Sequence, residues 1–200
     1  MLLRLPFLKL IDERSRLNIN TKKFLLISAS THVLSNSTIL AKAVLSGLNY
    51  QEIKLNNVKI FDVKDLRFSP SWPRQNDDYY QIVERLKDTD IIVLSTPIYW
   101  YGIAATLKRL IERWSESLKT DTDFRQAVQG KQIVLIIVGG DNPVVKGQII
   151  IDQFNYICEF LGMKLIASVI GEANRPGTIC EDLNALTEAR NVNRILKSQL

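Results

Sequence analysis

The segment Ile133-Val-Leu-Ile-Ile-Val138 is apolar at every position, mostly with β-branched side chains. A strand of this kind must be covered on both faces, as the strands inside a parallel sheet are. Other largely apolar stretches at 24–27, 90–95 and 165–170 alternate along the chain with stretches of helical periodicity. Strands that alternate with helices form a parallel sheet joined by right-handed crossovers. We therefore predict an α/β fold with a five-stranded parallel sheet in the order 2-1-3-4-5.

The remaining elements follow from the same patterns. The second strand is predicted at 58–63, and helices are predicted at 38–48, from Asp77 onward, and at 103–118, 147–161 and 181–198. Asp77 and Asp78 are expected to cap their helix, because acidic groups suit the positive end of the helix dipole. Pro97 has no N–H to donate, so we expect it to end the third strand.

Length and cysteine usage limit the class of protein. A chain of 200 residues with 46% hydrophobic residues is most simply one domain, which buries about 70% of the surface of its unfolded chain. Cys158 and Cys180 lie far apart and form no C-x-x-C pair. This spacing argues against zinc, an iron–sulfur cluster or a disulfide framework, and it is compatible with a reducing compartment. We therefore expect a cytoplasmic protein that holds no metal.

The net charge of +5 belongs to the beginning of the chain. Residues 1–23 contain six Lys or Arg and two acidic residues, and the remaining 177 residues contain 20 basic and 19 acidic ones. A protein that binds nucleic acid carries its excess positive charge on the folded surface. We therefore expect no nucleic-acid partner.

The first eleven residues are apolar but interrupted by Arg4, Pro6 and Lys9. This run is too short to span a bilayer, and it lacks the uninterrupted core and cleavage site of a signal peptide. We predict an N-terminal extension at 1–20, no transmembrane segment, and a folded domain at 21–200. A peripheral anchor, an arm that packs on a partner and a poorly ordered extension all remain open for residues 1–20.

Three loops follow the predicted first, third and fourth strands and therefore share the carboxyl edge of the sheet, where open α/β folds bind ligands. The first loop, 28–38, contains six hydroxyl groups and an asparagine before a helix. These groups and the helix N–H groups could hold a phosphate, or the hydroxyls could simply cap the helix. Neither G-K-[ST] nor G-x-G-x-x-G occurs, which disfavours ATP hydrolysis and a dinucleotide-type Rossmann site.

The other two loops add an aromatic surface and paired glycines. Tyr99 and Trp100 could flank a flat aromatic cofactor, or their rings could pack beneath the following helix. Gly139 and Gly140 could let the backbone approach a ligand closely, or they could form an ordinary turn. Because all three loops lie at one edge, together they favour a ligand site over three separate structural explanations.

The segment Thr96-Pro-Ile-Tyr-Trp100, with Leu-Lys and Ile-Glu-Arg113 in the helix after it, resembles the NADPH-dependent FMN reductase family of flavodoxin-like flavoproteins. The closest subgroup carries P-[IV]-Y-W in its flavin loop. The resemblance covers the chain from Lys23 to about Gly171, and it implies a flavodoxin-like three-layer sandwich. The sequence after Gly171 has no counterpart in this pattern.

The resemblance also implies a set of residues that bind FMN non-covalently. The phosphate is expected to contact Ser28, Ser30, Asn36, Ser37 and Thr38. The ring is expected to lie against Thr96, Pro97, Ile98, Tyr99, Trp100, Tyr101 and Gly102, with its pyrimidine side against Gly139, Gly140 and Asp141. No catalytic side chain is implied, because the flavin carries the chemistry.

One position departs from the family pattern. The phosphate loop of the family commonly reads G-S-P-R or G-S-x-R, whereas this chain has Ala29-Ser-Thr-His32. His32, the only histidine, stands where the arginine is expected. It could assist the phosphate when protonated, or it could have no role.

The resemblance implies an oxidoreductase that passes a hydride from NADPH or NADH through flavin N5 to a small acceptor. The acceptor classes are quinones, azo or nitro compounds, metal ions and free flavin. Family members are usually homodimers or homotetramers with the flavin near the subunit interface. Trp72 and Arg74 could line the pocket or a dimer seam, or they could belong to a surface loop.

Two alternatives remain open. A flavodoxin-type electron carrier binds FMN without turning over nicotinamide, and such carriers are usually strongly acidic to dock on basic partners. The nearly neutral body of this chain favours the reductase. A flavodoxin-like fold used only for interaction is the second alternative, which the irregular phosphate loop leaves open.

Overall fold

A computed structural model describes residues 22–63 and 74–200 of the chain. The strands are β1 (Phe24–Ser28), β2 (Tyr50–Lys54), β3 (Ile91–Tyr99), β4 (Gly102–Ile103), β5 (Gln132–Gly139) and β6 (Lys164–Glu172). The helices are α1 (Asn36–Val44), α2 (Tyr79–Lys87), α3 (Ala105–Thr120), α4 (Phe124–Val128), α5 (Pro143–Lys146), α6 (Gln148–Leu161) and α7 (Leu183–Lys197), with 3-10 turns at Leu55–Asn57 and Thr178–Glu181. The expectations for residues 1–20 and Trp72 lie outside the described residues, so the division at residue 20 stays a prediction.

The sheet has the order β2-β1-β3-β5-β6, and its five main strands pair in parallel. The two-residue strand β4 pairs antiparallel with the end of β3 and lies off this path. Counted without β4, the order is the predicted 2-1-3-4-5. The flavodoxin-like α/β fold is thereby confirmed.

Two layers of helices cover the sheet because successive side chains of each strand point to opposite faces. Leu25 and Ile27 of β1 pack in a core with residues of α2, α3, α4 and α6. Phe24 and Leu26 pack on the other side, against α1 and α7. The helix after β1 thus lies on the face opposite to the helices after β3 and β5. No helix in the described parts of the chain is long and apolar enough to cross a membrane.

The prediction of the second strand at 58–63 is wrong, because the strand is Tyr50–Lys54. This strand lies at the edge of the sheet and buries only Ile53, so its polar residues face solvent and give no continuous apolar signal. Residues 58–63 instead run beside the start of α2. There the Lys59 N–H donates to the Asp78 carboxylate at 2.7 Å and the Phe61 N–H to the Asp77 carboxylate at 2.9 Å.

The expected helix cap is therefore only partly realised. Asp78 is the N-cap residue of α2, but its carboxylate accepts no hydrogen bond from the helix. Asp77 accepts one from the N–H of Tyr79 at 3.3 Å. Both carboxylates also hold the 59–61 backbone, whose N–H groups have no strand partner.

The prediction that Pro97 ends the third strand is also wrong, because β3 runs on to Tyr99 and pairs Pro97 with Val138 of β5. The carbonyl of Ser95 accepts from the N–H of Ala29 at 2.9 Å, so the backbone groups of Ser95 face β1. Backbone groups two residues apart in a strand face the same side. The nitrogen of Pro97 therefore faces the space beyond the end of β1. A missing N–H at that place removes no hydrogen bond from the ladder.

A fully buried arginine joins α3 to the start of α2. Arg113 has no exposed surface and forms ion pairs with Asp77 at 2.7 Å and with Glu116 at 2.6 Å. Its Nη1 also donates to the carbonyl of Phe61 at 3.1 Å, and its guanidinium stacks on the ring of Tyr79 at 4.3 Å. Burial acts to lower the pKa of Arg113, but its hydrogen bonds to Asp77 and Glu116 keep that pKa raised. This cluster fixes α3, whose first turn follows directly on the loop after β3.

We predict that Arg113→Met lowers the free energy of unfolding by about 3–5 kcal/mol, because it leaves two buried carboxylates without a counter-charge. Urea unfolding at neutral pH measures the loss. The triple variant that adds Asp77→Asn and Glu116→Gln is the matched control and should recover part of the loss. A loss below about 1 kcal/mol at neutral pH would contradict the assignment of this cluster.

Candidate functional site

The loop after β1 presents hydroxyl groups and the first turn of α1. Ser35 is the N-cap residue of α1, and its Oγ accepts from the Thr38 N–H at 3.2 Å and from the Thr38 hydroxyl at 3.0 Å. Within the described residues, no bond engages the backbone N–H groups of Asn36 and Ser37. Ser30 turns its Oγ back to accept from the N–H of His32 at 3.2 Å. The loop therefore offers free N–H groups at the positive end of a nine-residue helix.

The loop after β3 is a tight hairpin into β4. Thr96 fixes its base, since Thr96 Oγ1 donates to the carbonyl of Pro97 at 2.9 Å and accepts from the N–H of Ala104 at 3.0 Å. At its tip Trp100 and Tyr101 have φ angles of +49° and +62°, in the left-handed region that non-glycine residues rarely adopt. The side chain of Trp100 is 97% exposed. The aromatic ring is thus held away from the protein core by a strained backbone.

The loop after β5 carries the paired glycines, and a neighbouring side chain lies close to each of them. A Cβ atom on Gly139 would lie 3.0 Å from the side chain of Ile98. A Cβ atom on Gly140 would lie 1.4 Å from Oδ1 of Asn174, an exposed side chain that would have to move for any larger residue. Asn174 thus lies beside Gly140, and Gly140 itself lines both cavities described below, where the sequence predicts a close approach of the ligand.

Asp141 ties this loop to the aromatic hairpin. Its Oδ2 accepts from Lys146 Nζ at 2.5 Å and from the Tyr101 hydroxyl at 3.0 Å. The hydrogen bonds from Lys146 and then from Tyr101 lower the pKa of Asp141, and the carboxylate raises the pKa of Lys146. Lys146 also lies 5.3 Å from the centre of the Tyr101 ring.

A fourth loop, 173–176 after β6, reaches the same edge of the sheet. It is joined to β5 by the hydrogen bond from the Ala173 N–H to the Gly139 carbonyl at 2.9 Å. The sequence pattern gave this segment no role. Its position could have been found from the topology alone, because the last parallel strand must end at the edge where the others end.

These four loops enclose two adjoining cavities at the carboxyl edge. The larger has a volume of about 330 Å³, which is within the range of small-molecule sites. It is lined by Ser30, His32, Leu34, Ser35, Asn36, Ser37, Pro97, Ile98, Tyr99, Val138, Gly139, Gly140, Ala173, Asn174, Arg175 and Pro176. The smaller, of about 200 Å³, is lined by Ile98, Trp100, Tyr101, Gly139, Gly140, Asp141 and Lys146.

Most residues expected at the site therefore lie together, and four do not line either cavity. Ser28 is buried in β1, and the Thr38 hydroxyl is used inside the capping network of α1. Thr96 is buried under the hairpin and Gly102 lies in β4 beyond it. The residues that the sequence did not suggest are Leu34, Ser35, Val138, Lys146 and the four residues of the 173–176 loop.

The arrangement has polar donors at one end and aromatic rings at the other. The free N–H groups and hydroxyls around α1 suit an anion. Pro97, Tyr99 and Trp100 offer apolar and aromatic surface to a flat ring. Among the residues in 22–63 and 74–200, no group of three or more His, Cys, Asp or Glu is placed to hold a metal ion.

Comparison with known proteins gives consistent matches over nearly the whole described chain. The model of a family described as having a flavodoxin-like fold matches residues 22–191. A Bacillus subtilis protein with the provisional name NAD(P)H-dependent FMN-containing oxidoreductase YwqN is 40% identical over 178 residues, which is 88% of this chain and 97% of that protein.

Solved structures agree with this result. The structure of the Trp repressor binding protein from Bacillus subtilis has a TM-score of 0.72 and 36% identity, over 84% of this chain and 96% of that one. An NAD(P)H:quinone oxidoreductase from Methanothermobacter marburgensis has a TM-score of 0.67 at 18% identity, over 88% of this chain and 96% of that one. The second likeness concerns the fold alone.

The strained hairpin gives a prediction about stability. We expect Trp100→Asn to raise the free energy of unfolding by about 1 kcal/mol, because asparagine adopts positive φ at lower cost and the exposed indole contributes little packing. Thermal or urea unfolding of the purified variant measures the change, and Trp100→Phe, which keeps the backbone cost, is the control. A Trp100→Asn protein no more stable than the Phe variant would mean that the turn is not strained.

Proposed function

The chain belongs to the flavodoxin-like NAD(P)H-dependent FMN reductase family, and on that basis we propose how its site works. The protein is an FMN-dependent NAD(P)H oxidoreductase whose cofactor lies in the cavities at the carboxyl edge of the sheet. Its electron acceptor is a small molecule from one of the classes quinone, azo or nitro compound, metal ion or free flavin. The observation that carries the proposal is the convergence of the 30–37, 97–101 and 139–141 loops on two adjoining cavities.

The residues at the site suit FMN. A phosphate monoester needs several donors, and the larger cavity offers the free N–H groups of α1 with the hydroxyls of Ser30 and Ser37. A flat tricyclic ring needs apolar walls, and Pro97 to Tyr101 provide them beside Gly139 and Gly140. Four other residues expected at the site do not line either cavity: Ser28, Thr38, Thr96 and Gly102.

When bound, FMN supplies the two-electron chemistry that links a reduced nicotinamide to an acceptor. The protein's own part is to bind and orient the reactants. The side chains of Ile98 and Asn174 lie beside Gly139 and Gly140, whose backbone lines both cavities. The bond between Tyr101 and Asp141 holds the two walls of the smaller cavity together. No side chain is assigned a proton-transfer role.

The rival function is that of a flavodoxin-type electron carrier. Such a carrier docks on a basic redox partner through an acidic surface. Outside the first 23 residues this chain has 20 basic and 19 acidic side chains, so it lacks the strong net negative charge usual for such carriers. The balance favours the reductase.

Other features support two further parts of the proposal. Apolar side chains are exposed next to the smaller cavity and along α6, at Trp100, Val144, Val145, Ile149, Tyr156 and Phe160. We propose that a second copy of the chain covers them in a homodimer or homotetramer, and a monomer in sedimentation equilibrium would contradict this.

Cys158 and Cys180 are both free thiols, which supports a cytoplasmic location. A disulfide-linked or exported form recovered from cells would contradict that location.

The direct test is the visible absorption of the purified protein without oxygen, before and after NADPH or NADH is added. We expect a bound flavin spectrum that bleaches promptly with at least one of the two nucleotides and returns when a quinone is added. A flavin spectrum that neither nucleotide bleaches would indicate the carrier. A protein that is colourless and ignores added FMN would remove both flavin functions and leave a role in interaction.

The aromatic wall gives a second prediction. We expect Tyr99→Ala to weaken FMN binding by about 0.5–1.5 kcal/mol, which is two- to tenfold, because one ring contact is lost. Titration of the apoprotein by flavin fluorescence measures the dissociation constant. Tyr50→Ala, which removes a partly exposed tyrosine ring at the opposite, amino edge of the sheet, is the matched control. Equal affinities of both variants and the native protein would place the flavin ring elsewhere.

A further inference from the structure

The larger cavity is bounded on one side by a turn whose position is fixed by α1. The carbonyl of Arg175 accepts from the Asn36 side-chain amide at 2.8 Å, from the Thr178 hydroxyl at 2.8 Å and from the Thr178 N–H at 3.2 Å. Asn36 is the first residue of α1. Arg175 is therefore held directly beside the free N–H groups at the start of that helix.

Asn36 uses both ends of its amide for this purpose. Its Nδ2 donates to Arg175, and its Oδ1 accepts from the Ile179 N–H at 3.3 Å. The side chain thus bridges α1 and the 175–179 turn across more than 130 positions of sequence. The contact of Asn36 with a phosphate stays a prediction, and its side-chain hydrogen bonds also make it a support for the turn.

Arg175 is one of two basic residues that line the larger cavity. Of the described residues that line the larger cavity, Arg175 and His32 carry the basic side chains, and none is acidic. Arg175 is exposed, and no hydrogen bond or ion pair to its guanidinium is found within 22–63 and 74–200. An arginine keeps its charge at every physiological pH, which a histidine does not always do.

The loop at 28–38 has no lysine or arginine, although it is the part expected to receive a phosphate. We propose that Arg175 supplies the positive charge for the phosphate group of the flavin, and that Asn36 is the positioning residue that holds Arg175 beside α1. The cation then comes from the loop after β6 rather than from the loop after β1. This inference rests on the proposed binding of FMN at this edge.

The test compares two ligands that differ only in the phosphate. Dissociation constants of FMN and riboflavin are measured by fluorescence titration for the native protein and for Arg175→Ala. We expect FMN binding to weaken about tenfold or more, as for a lost charged hydrogen bond, while riboflavin binding stays the same. Arg190→Ala, which removes an exposed arginine of α7, is the matched control and should change neither constant.

His32→Ala tests the other basic residue of the cavity. We expect it to change FMN affinity far less than Arg175→Ala does. A loss specific to FMN in His32→Ala but absent in Arg175→Ala would overturn the inference. An equal loss for FMN and riboflavin in Arg175→Ala would do the same, because the effect would then not concern the phosphate.

The role of Asn36 is tested through its dependence on Arg175. Asn36→Ala should weaken FMN and spare riboflavin, and the double variant should bind FMN no more weakly than Arg175→Ala alone. Additive losses, or a loss shared by riboflavin, would show that Asn36 does not act through Arg175. Circular dichroism and thermal unfolding of each variant confirm that the fold is retained.

Two results with the native protein distinguish a failure of the inference about Arg175 from a failure of the proposed binding of FMN. A native protein that binds neither FMN nor riboflavin would overturn both. A native protein that binds FMN tightly while Arg175→Ala binds it equally well would overturn the inference alone.

Discussion

The parallel pairing of β1 with β3 is the constraint on which the site depends. The two strands pair from Phe24 with Ile91 to Ser28 with Ser95, and there β1 ends while β3 continues to Tyr99. The helices that follow the two strands pack on opposite faces of the sheet. The chain must therefore leave a crevice between these strand ends, which is where open α/β sheets bind ligands.

The crevice is shaped mainly by contacts of the protein with itself. Asn174 fills the space beside Gly140, and Asn36 joins the start of α1 to the turn at Arg175. Thr106 donates its hydroxyl to the carbonyl of Ala29 at 3.0 Å, which ties the start of α3 to the end of β1. A site whose walls are fixed in this way is preorganised, so less conformational entropy is lost when a ligand binds.

The sequence was sufficient for those parts of the fold that bury apolar residues. The run at 133–138 and its counterparts in β1, β3 and β6 are apolar because both faces of the sheet are covered. The edge strand Tyr50–Lys54 was missed because one row of its side chains faces water, so the pattern is polar. Pro97 was misjudged because its effect depends on which side of the strand its nitrogen faces, which requires the length of β1. The segment that contains Arg175 was given no role from the sequence pattern, although the parallel topology alone places the end of β6 at the same edge; its contact with Asn36 is visible only in the folded chain.

The central claim is that the carboxyl edge between β1 and β3 binds the flavin. The most direct measurement is a two-dimensional ¹H–¹⁵N NMR titration of the 22.8 kDa chain with FMN. The account predicts that the large shift changes are confined to amides of the loops at 30–37, 97–102, 139–141 and 173–176. Another groove lies between α3 and α6, lined among others by Trp114, Leu118 and Phe160. Saturable changes centred there or elsewhere would contradict the account.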